Sequence, residues 1–166
     1  MKGFGDQNKL NKHPDKISKT TKPSKQQIYN QAIQFHAKGN ITEAAKYYQY
    51  FINQGFEDYG VFSNYGVILK GLGKLKEAEF CYRKAIKINP DFYKAHFNLG
   101  NVMKDLGKLK EAEFCYLKAI EINASFADAY TNLGNVLRDL GNLHQAEIAF
   151  RKAIKINPNF AMFHSN

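Results

Sequence analysis

Apolar residues recur along this chain in short stripes with helical spacing, and the stripes come in pairs. One pair covers residues 61–72 and 75–88, with Gly73 between them. Residues three and four positions apart share one face of a helix, so each stripe predicts an amphipathic helix. The glycine between them predicts a turn that folds the second helix back on the first. The chain is therefore predicted to be all-α and to consist of helical hairpins.

The hairpin pattern repeats every 34 residues. Residues 93–126 overlay the preceding unit with their small and aromatic positions matched, and the decapeptide GKLKEAEFCY occurs unchanged at 73–82 and 107–116. The first unit is degenerate, because Gln31 and Phe51 replace residues that later units share, as is typical of a repeat with one neighbour. Four units are predicted, at residues 25–58, 59–92, 93–126 and 127–160.

The segments outside the four units have a different character. Residues 1–24 are rich in lysine and have no apolar periodicity, so a disordered tail is predicted there. Order is predicted to begin with a capping box formed by Ser24 and Gln27. Residues 161–166 match the start of another first helix, so we expect a truncated further repeat in a fragment of a longer protein. Its apolar end favours weak end-to-end self-association.

Small residues predict close packing within each hairpin. Gly100 in a first helix and Ala112 in the following second helix have equivalents in the neighbouring units, and both allow two backbones to approach. Tyr116 is expected to fill the space toward the next hairpin. The second helix is expected to end at Asn89-Pro90, because proline lacks an amide hydrogen and disfavours helix in the residue before it.

This pattern of glycine, alanine, aromatic and proline positions resembles the tetratricopeptide repeat. The resemblance implies a right-handed superhelical solenoid of antiparallel helix pairs, whose first helices line a concave groove that binds peptides or proteins. Residues 98–101 and 132–135, each followed by a Lys/Arg-Asp-Leu-Gly run, are similar to the repeats before the catalytic region of O-linked N-acetylglucosamine transferases. That narrower resemblance implies a ladder of groove asparagines that holds the backbone of an extended substrate.

Asparagine recurs on one face of the predicted first helices. Asn98 and Asn101 lie outside the buried stripe of the third unit, Asn132 and Asn135 repeat them one unit later, and Asn64 precedes them by one unit. A carboxamide both donates and accepts hydrogen bonds, so a row of them can pair with successive peptide groups. The alternative is a merely tolerated polar residue, but asparagine is a poor helix former, which favours a binding role.

Basic residues form a second series beside the asparagines, at Lys70, Lys104 and Arg138, with His36 in the same register. They are predicted either to attract acidic residues of a partner or to pair with nearby aspartates. These two interpretations stay open. Phe97 stands among the polar residues as either a groove anchor or a core residue.

Composition adds constraints on partners and location. The net charge is +9, and seven lysines against two aspartates place +5 of it in the first 25 residues. A solvated leader is the expected role, and nucleic-acid binding is the less favoured alternative. Cys81 and Cys115 occupy equivalent positions that are predicted to lie beyond disulfide reach, which favours a reducing, cytoplasmic location. No sequence window is apolar enough for a membrane span or a signal peptide.

No catalytic chemistry is predicted. None of the five histidines stands with a serine, cysteine or carboxylate in a nucleophile, metal or phosphate-loop pattern. We therefore expect no enzyme activity, cofactor or metal for this chain alone. Two functions remain: a protein-interaction module that binds an extended peptide or partner protein, and the substrate-presenting arm of a larger glycosyltransferase or sulfotransferase whose catalytic domain is absent here.

Overall fold

The computed structural model describes residues 22–158 and divides into two compact units that meet between Glu57 and Asp58. Most of the lysine-rich leader and the expected further repeat at residues 161–166 lie outside the described residues. In the described part of the chain, the first unit contains one helix pair and the second contains three, so each predicted repeat holds two helices. Within residues 22–158 the regular structure is helical, which confirms the all-α prediction.

The first unit is a hairpin of α1 (Lys25–Ala37) and α2 (Ile41–Asn53). The predicted capping box is confirmed, because the Gln27 amide donates to Ser24 Oγ at 3.2 Å and the Ser24 amide donates to Gln27 Oε1 at 2.8 Å. These two bonds satisfy backbone donors that the first turn of a helix leaves without partners.

Aromatic side chains fill the space between α1 and α2. The rings of Phe35 and Tyr47 stack with centroids 5.4 Å apart. His36 Nδ1 lies 3.0 Å from the Tyr48 hydroxyl, and the two rings also meet edge to face. His36 therefore packs within its own hairpin. These contacts with Tyr48 account for the histidine without a role in binding a partner.

The second unit stacks three hairpins along the chain. Each first helix has 13 residues and each second helix has 14. Gly73, between the first two helices of this unit, has φ of 73°, a left-handed conformation that glycine adopts without the steric cost of a Cβ atom. The helices are α3 (Tyr59–Gly71), α4 (Leu75–Ile88), α5 (Tyr93–Asp105), α6 (Leu109–Ile122), α7 (Ala127–Asp139) and α8 (Leu143–Ile156).

An aromatic ring lies against a glycine in each of these three hairpins. A Cβ atom placed on Gly100 would stand 2.6 Å from Cε1 of Tyr116, and one on Gly134 would stand 2.6 Å from Cε1 of Phe150. The ring therefore occupies the space between the two helices of its own hairpin. The expectation that it fills the gap toward the next hairpin was wrong, because the missing Cβ leaves room for a ring.

Helices α4 and α6 each end at an asparagine C-cap, whether or not a proline follows it. Helix α4 ends before Asn89-Pro90, yet α6 ends at the equivalent place, where Ala124 follows Asn123. In both turns the asparagine side chain accepts from the amide two residues later, at 3.2 Å from Asp91 and 3.1 Å from Ser125. This local bond competes with continuation of the helix. Helix α4 therefore ends where the sequence predicts, and α6 ends at the equivalent position without a proline.

Among residues 22–158, no helix combines the length and the apolar character needed to cross a membrane.

Candidate functional site

The predicted site residues lie on first helices α3, α5 and α7, and we call the surface they form the polar face. Two contacts join neighbouring first helices across it. Asn132 Nδ2 donates to Asn101 Oδ1 at 2.8 Å, and Lys70 Nζ lies 3.0 Å from Asp105 Oδ2. These contacts place α3 beside α5 and α5 beside α7. The polar face comprises Asn64, Lys70, Asn98, Asn101, Lys104, Asn132, Asn135 and Arg138.

Asn101 is the centre of a hydrogen-bonded cluster. Its Oδ1 atom accepts from the Tyr116 hydroxyl at 2.8 Å as well as from Asn132 Nδ2. Tyr116 is fully buried, and burial raises the pKa of its hydroxyl well above the usual range, so the hydroxyl stays a donor. One carboxamide oxygen thus ties a buried side chain in α6 to the neighbouring helix α7. Asn101 and Asn132 have a structural role that the sequence did not indicate.

The preceding hairpin lacks this cluster. Val67 stands 34 residues before Asn101, and Tyr82 stands 34 residues before Tyr116. The Tyr82 hydroxyl is buried and has no hydrogen-bond partner among the described residues. Asn98 corresponds to Asn132, but the position that supplies an acceptor to Asn132 is a valine one unit earlier, and within residues 22–158 the Asn98 side chain makes no hydrogen bond. The carboxamide of Asn98 therefore remains available.

The last hairpin differs in the opposite way. Asn135 corresponds to Asn101, but Phe150 replaces the tyrosine and supplies no hydroxyl. The partner one unit later would be Asn166, which lies outside the described residues. In the described part of the chain the Asn135 side chain makes no hydrogen bond, and neither does that of Asn64. Within residues 22–158, two of the five predicted asparagines therefore bond to each other, and the side chains of the other three make no hydrogen bond.

The basic series is partly neutralised. Lys70 pairs with Asp105, and Arg138 Nε lies 3.7 Å from Asp139 Oδ1. Both pairs are partly exposed, so each contributes about 1 kcal/mol or less. Within residues 22–158, Lys104 forms no ion pair. Lys70 and Arg138 are therefore paired with aspartates, whereas the Lys104 ammonium group has no carboxylate partner within residues 22–158.

Phe97 packs at the seam between hairpins. Its ring centroid lies 4.8 Å from that of Phe126 and 5.8 Å from that of Tyr116. Tyr93 also meets Phe126, with centroids 5.1 Å apart. The two pairs with Phe126 are edge to face, an arrangement that stabilises packing beyond the area that it buries. The core interpretation of Phe97 is the one that these contacts support.

The two thiols and the His96 imidazole are occupied or shielded. His96 Nε2 lies 2.8 Å from the carbonyl oxygen of Pro90. Cys81 and Cys115 are free and buried, and burial raises their pKa to about 12 and about 11. No group of three or more histidine, cysteine or acidic side chains within residues 22–158 is placed to hold a metal ion.

Family models match this chain across its second unit. The model described as TPR repeat matches residues 66–107 and 102–141, and the model described as tetratricopeptide repeat matches 127–160. Together they cover residues 66–160, which is more than half of the sequence. The chain belongs to the tetratricopeptide repeat family.

Solved structures share the tetratricopeptide repeat fold with this chain. MamA is similar with a TM-score of 0.77 and 20% identity, over 84% of this chain and 81% of MamA. MamA 41-end from Desulfovibrio magneticus RS-1 is similar with a TM-score of 0.73 and 22% identity, over 81% of this chain and 76% of that chain. YrrB, titled a TPR protein with an unusual peptide-binding site, gives 0.74 and 25%, over 81% and 70%. The comparison with curated proteins gave no significant match.

Neither the family models nor these structures connect the repeats to O-linked N-acetylglucosamine transferases specifically. The narrower resemblance, and with it the transferase-arm alternative, stays a prediction. What is established is a tetratricopeptide repeat protein of the kind that serves protein interaction.

The buried hydroxyl groups of Tyr82 and Tyr116 provide a test of the cluster in this tetratricopeptide repeat. We expect Tyr116→Phe to lower the free energy of unfolding by about 1 kcal/mol, because it removes a hydrogen bond to Asn101. Tyr82→Phe removes a buried hydroxyl that has no hydrogen-bond partner among the described residues, so stability should stay constant or rise. Urea unfolding followed by circular dichroism measures both. Equal losses in the two variants would contradict the difference between these hairpins.

Proposed function

We propose that the polar face of α3, α5 and α7 binds an extended peptide segment of a partner protein. The observation that supports this most directly is the open carboxamide of Asn98 beside the Asn101–Asn132 pair, with Asn135 open one repeat further on. Asparagine costs helix stability, and neither Asn98 nor Asn135 recovers that cost through a hydrogen bond within residues 22–158. A ligand is the natural partner for such groups.

The chemistry of the open groups fits a peptide backbone. A carboxamide offers two donors and an acceptor, which matches the alternating amide and carbonyl groups of an extended chain. Asn101 also keeps its amino group for a ligand, since only its oxygen is used in the cluster. Backbone recognition of this kind selects an extended conformation and tolerates many side chains. YrrB, a structural neighbour at 25% identity, is described as having an unusual peptide-binding site, which is consistent with this proposal.

Lys104 sets the expected charge preference of the ligand. Its ammonium group lies on the polar face without an ion-pair partner in the described residues, whereas Lys70 and Arg138 are beside carboxylates. An acidic ligand side chain near Lys104 would gain an exposed ion pair of modest strength, and the attraction would weaken with added salt. Charge is therefore a secondary contribution to affinity.

The proposal is tested with peptides of about twelve residues selected from a random phage-displayed library and labelled with fluorescein. We expect Asn98→Ala combined with Asn135→Ala to weaken binding by about tenfold or more, because each substitution removes hydrogen bonds to the ligand backbone. Fluorescence anisotropy gives the dissociation constants. Helicity should be unchanged, since neither side chain has a hydrogen bond to lose among the described residues.

Asn142→Ala is the matched control. This asparagine precedes α8 and its side chain makes no capping hydrogen bond, so its removal should leave both helicity and affinity unchanged. If the Asn98 and Asn135 double variant binds the selected peptides as tightly as the control does, the polar face is not the peptide site.

A further inference from the structure

On the polar face, the residues between α3 and α5 differ chemically from those between α5 and α7. We call the place where two neighbouring first helices meet on this face a step. Between α5 and α7 a carboxamide meets a carboxamide, and the two are bonded. Between α3 and α5, Val67 occupies the position of Asn101 and presents an apolar side chain that is 44% exposed. An exposed valine in a row of polar groups is an apolar site with hydrogen-bonding neighbours.

The repeat equivalence places a free donor beside this valine. Asn132 reaches Asn101 across one helix step, and Asn98 occupies the same position one repeat earlier relative to Val67. A valine side chain accepts no hydrogen bond, so the Asn98 amino group has no protein partner at that step. The Tyr82 hydroxyl below is a second group that this valine leaves unsatisfied. The structure thus keeps two unmet hydrogen bonds where an asparagine would satisfy both.

We propose that Val67 and Asn98 form a side-chain-selective subsite for the extended peptide of the proposed function, on which this inference rests. An aliphatic or aromatic side chain of the ligand packs on Val67, and the carbonyl oxygen of a neighbouring ligand residue accepts from Asn98 Nδ2. An extended chain advances about 3.3 Å per residue and alternates side chains with backbone groups, so one residue pair can meet both partners. The ligand class is an extended peptide with one required apolar residue.

The Tyr82 hydroxyl is too deeply buried to contact a ligand, and it instead identifies which substitution fills the step. Asparagine at position 67 can accept from both Tyr82 and Asn98, as Asn101 accepts from Tyr116 and Asn132. Val67→Asn should therefore raise the thermal midpoint of unfolding while it removes the subsite. Stability and binding move in opposite directions, which a purely structural role of Val67 does not produce.

The test uses the fluorescein-labelled peptides selected for the proposed function, each also made with every apolar residue changed to alanine in turn. We expect one alanine change to weaken binding to the unchanged protein by about tenfold, through loss of a buried side chain. The Val67→Asn protein should bind the parent peptide more weakly by a similar factor. It should bind the parent peptide and that alanine peptide with equal affinity. Val67→Leu, which keeps the apolar surface, should retain both the affinity and the preference.

Side-chain amide resonances of Asn98 in ¹⁵N-labelled protein give an independent reading, because they should shift when the parent peptide binds and stay in place with Val67→Asn. If Val67→Asn fails to fold, Val67→Thr carries the same test with a smaller change in shape. Retained affinity and preference in a folded polar variant at position 67 overturn the subsite. If Asn98→Ala with Asn135→Ala also leaves affinity unchanged, the proposed function falls as well; if that double variant binds weakly, only the subsite is wrong.

Discussion

Replacing Gly100 by alanine is expected to lower the free energy of unfolding by about 1–3 kcal/mol, the usual cost of forcing an extra carbon into a packed core. The new Cβ would lie 2.6 Å from Cε1 and 2.8 Å from Cδ1 of Tyr116. The ring has little freedom to retreat, because it is fully buried and its hydroxyl is bonded to Asn101. Urea unfolding monitored by circular dichroism at 222 nm measures the loss.

Gly71→Ala is the matched control for this prediction. Gly71 is the last residue of α3, and a Cβ atom there meets nothing within 4 Å. The substitution should leave stability unchanged or raise it by up to about 1 kcal/mol, since alanine has the better helix propensity. A Gly100→Ala protein as stable as this control would show that the Tyr116 ring can repack. Gly134→Ala, opposite the Phe150 ring, is expected to behave like Gly100→Ala.

The scaffold could be predicted from the sequence because it depends on rules that every repeat obeys. Helical periodicity and the turn at Gly73 place two helices in each unit without knowledge of any contact. The spacing also marked Gly100 as a position of close approach. It did not identify the group that approaches, because a missing Cβ can admit either a backbone or a ring, and only the side-chain geometry separates the two.

The hydrogen bonds of the polar face could not be predicted from the period of the repeat. Asn101 and Asn132 look like equivalent open groups in sequence, yet one is the acceptor and the other the donor of the same bond. That bond depends on which end of each carboxamide faces its neighbour, and no spacing rule contains this. A signal was present in the replacement of Asn101 by Val67 in one unit and of Tyr116 by Phe150 in another. Departures from the repeat, more than the repeat itself, mark where this surface is chemically distinct.

Both cysteines are expected to resist alkylation in the folded protein. Burial, followed by the charge of Glu77, raises the pKa of Cys81 from 9.0 to about 12, so its thiolate fraction at pH 8 falls roughly a thousandfold. Burial also raises the pKa of Cys115, but the Arg83 guanidinium opposes the rise and holds it at about 11. Cys115 should therefore react faster than Cys81, and both far more slowly than in urea.

Iodoacetamide labelling followed by mass spectrometry of tryptic peptides measures both rates in one sample, because EAEFCYR and EAEFCYLK differ in mass although they share six residues. The pH dependence provides the control. In urea the rate should rise no more than about twofold from pH 9 to pH 10, because half of the thiol is already ionised at its ordinary pKa of 9.0, whereas in the folded protein it should keep rising about tenfold per pH unit up to pH 10. A folded-state rate at Cys115 that levels off near pH 9 would mean that labelling proceeds through local opening of α6 and not through the buried thiol. Cys115 and Tyr116 are adjacent in α6. If local opening controls labelling, the Tyr116→Phe variant should therefore raise the labelling rate of Cys115 more than that of Cys81.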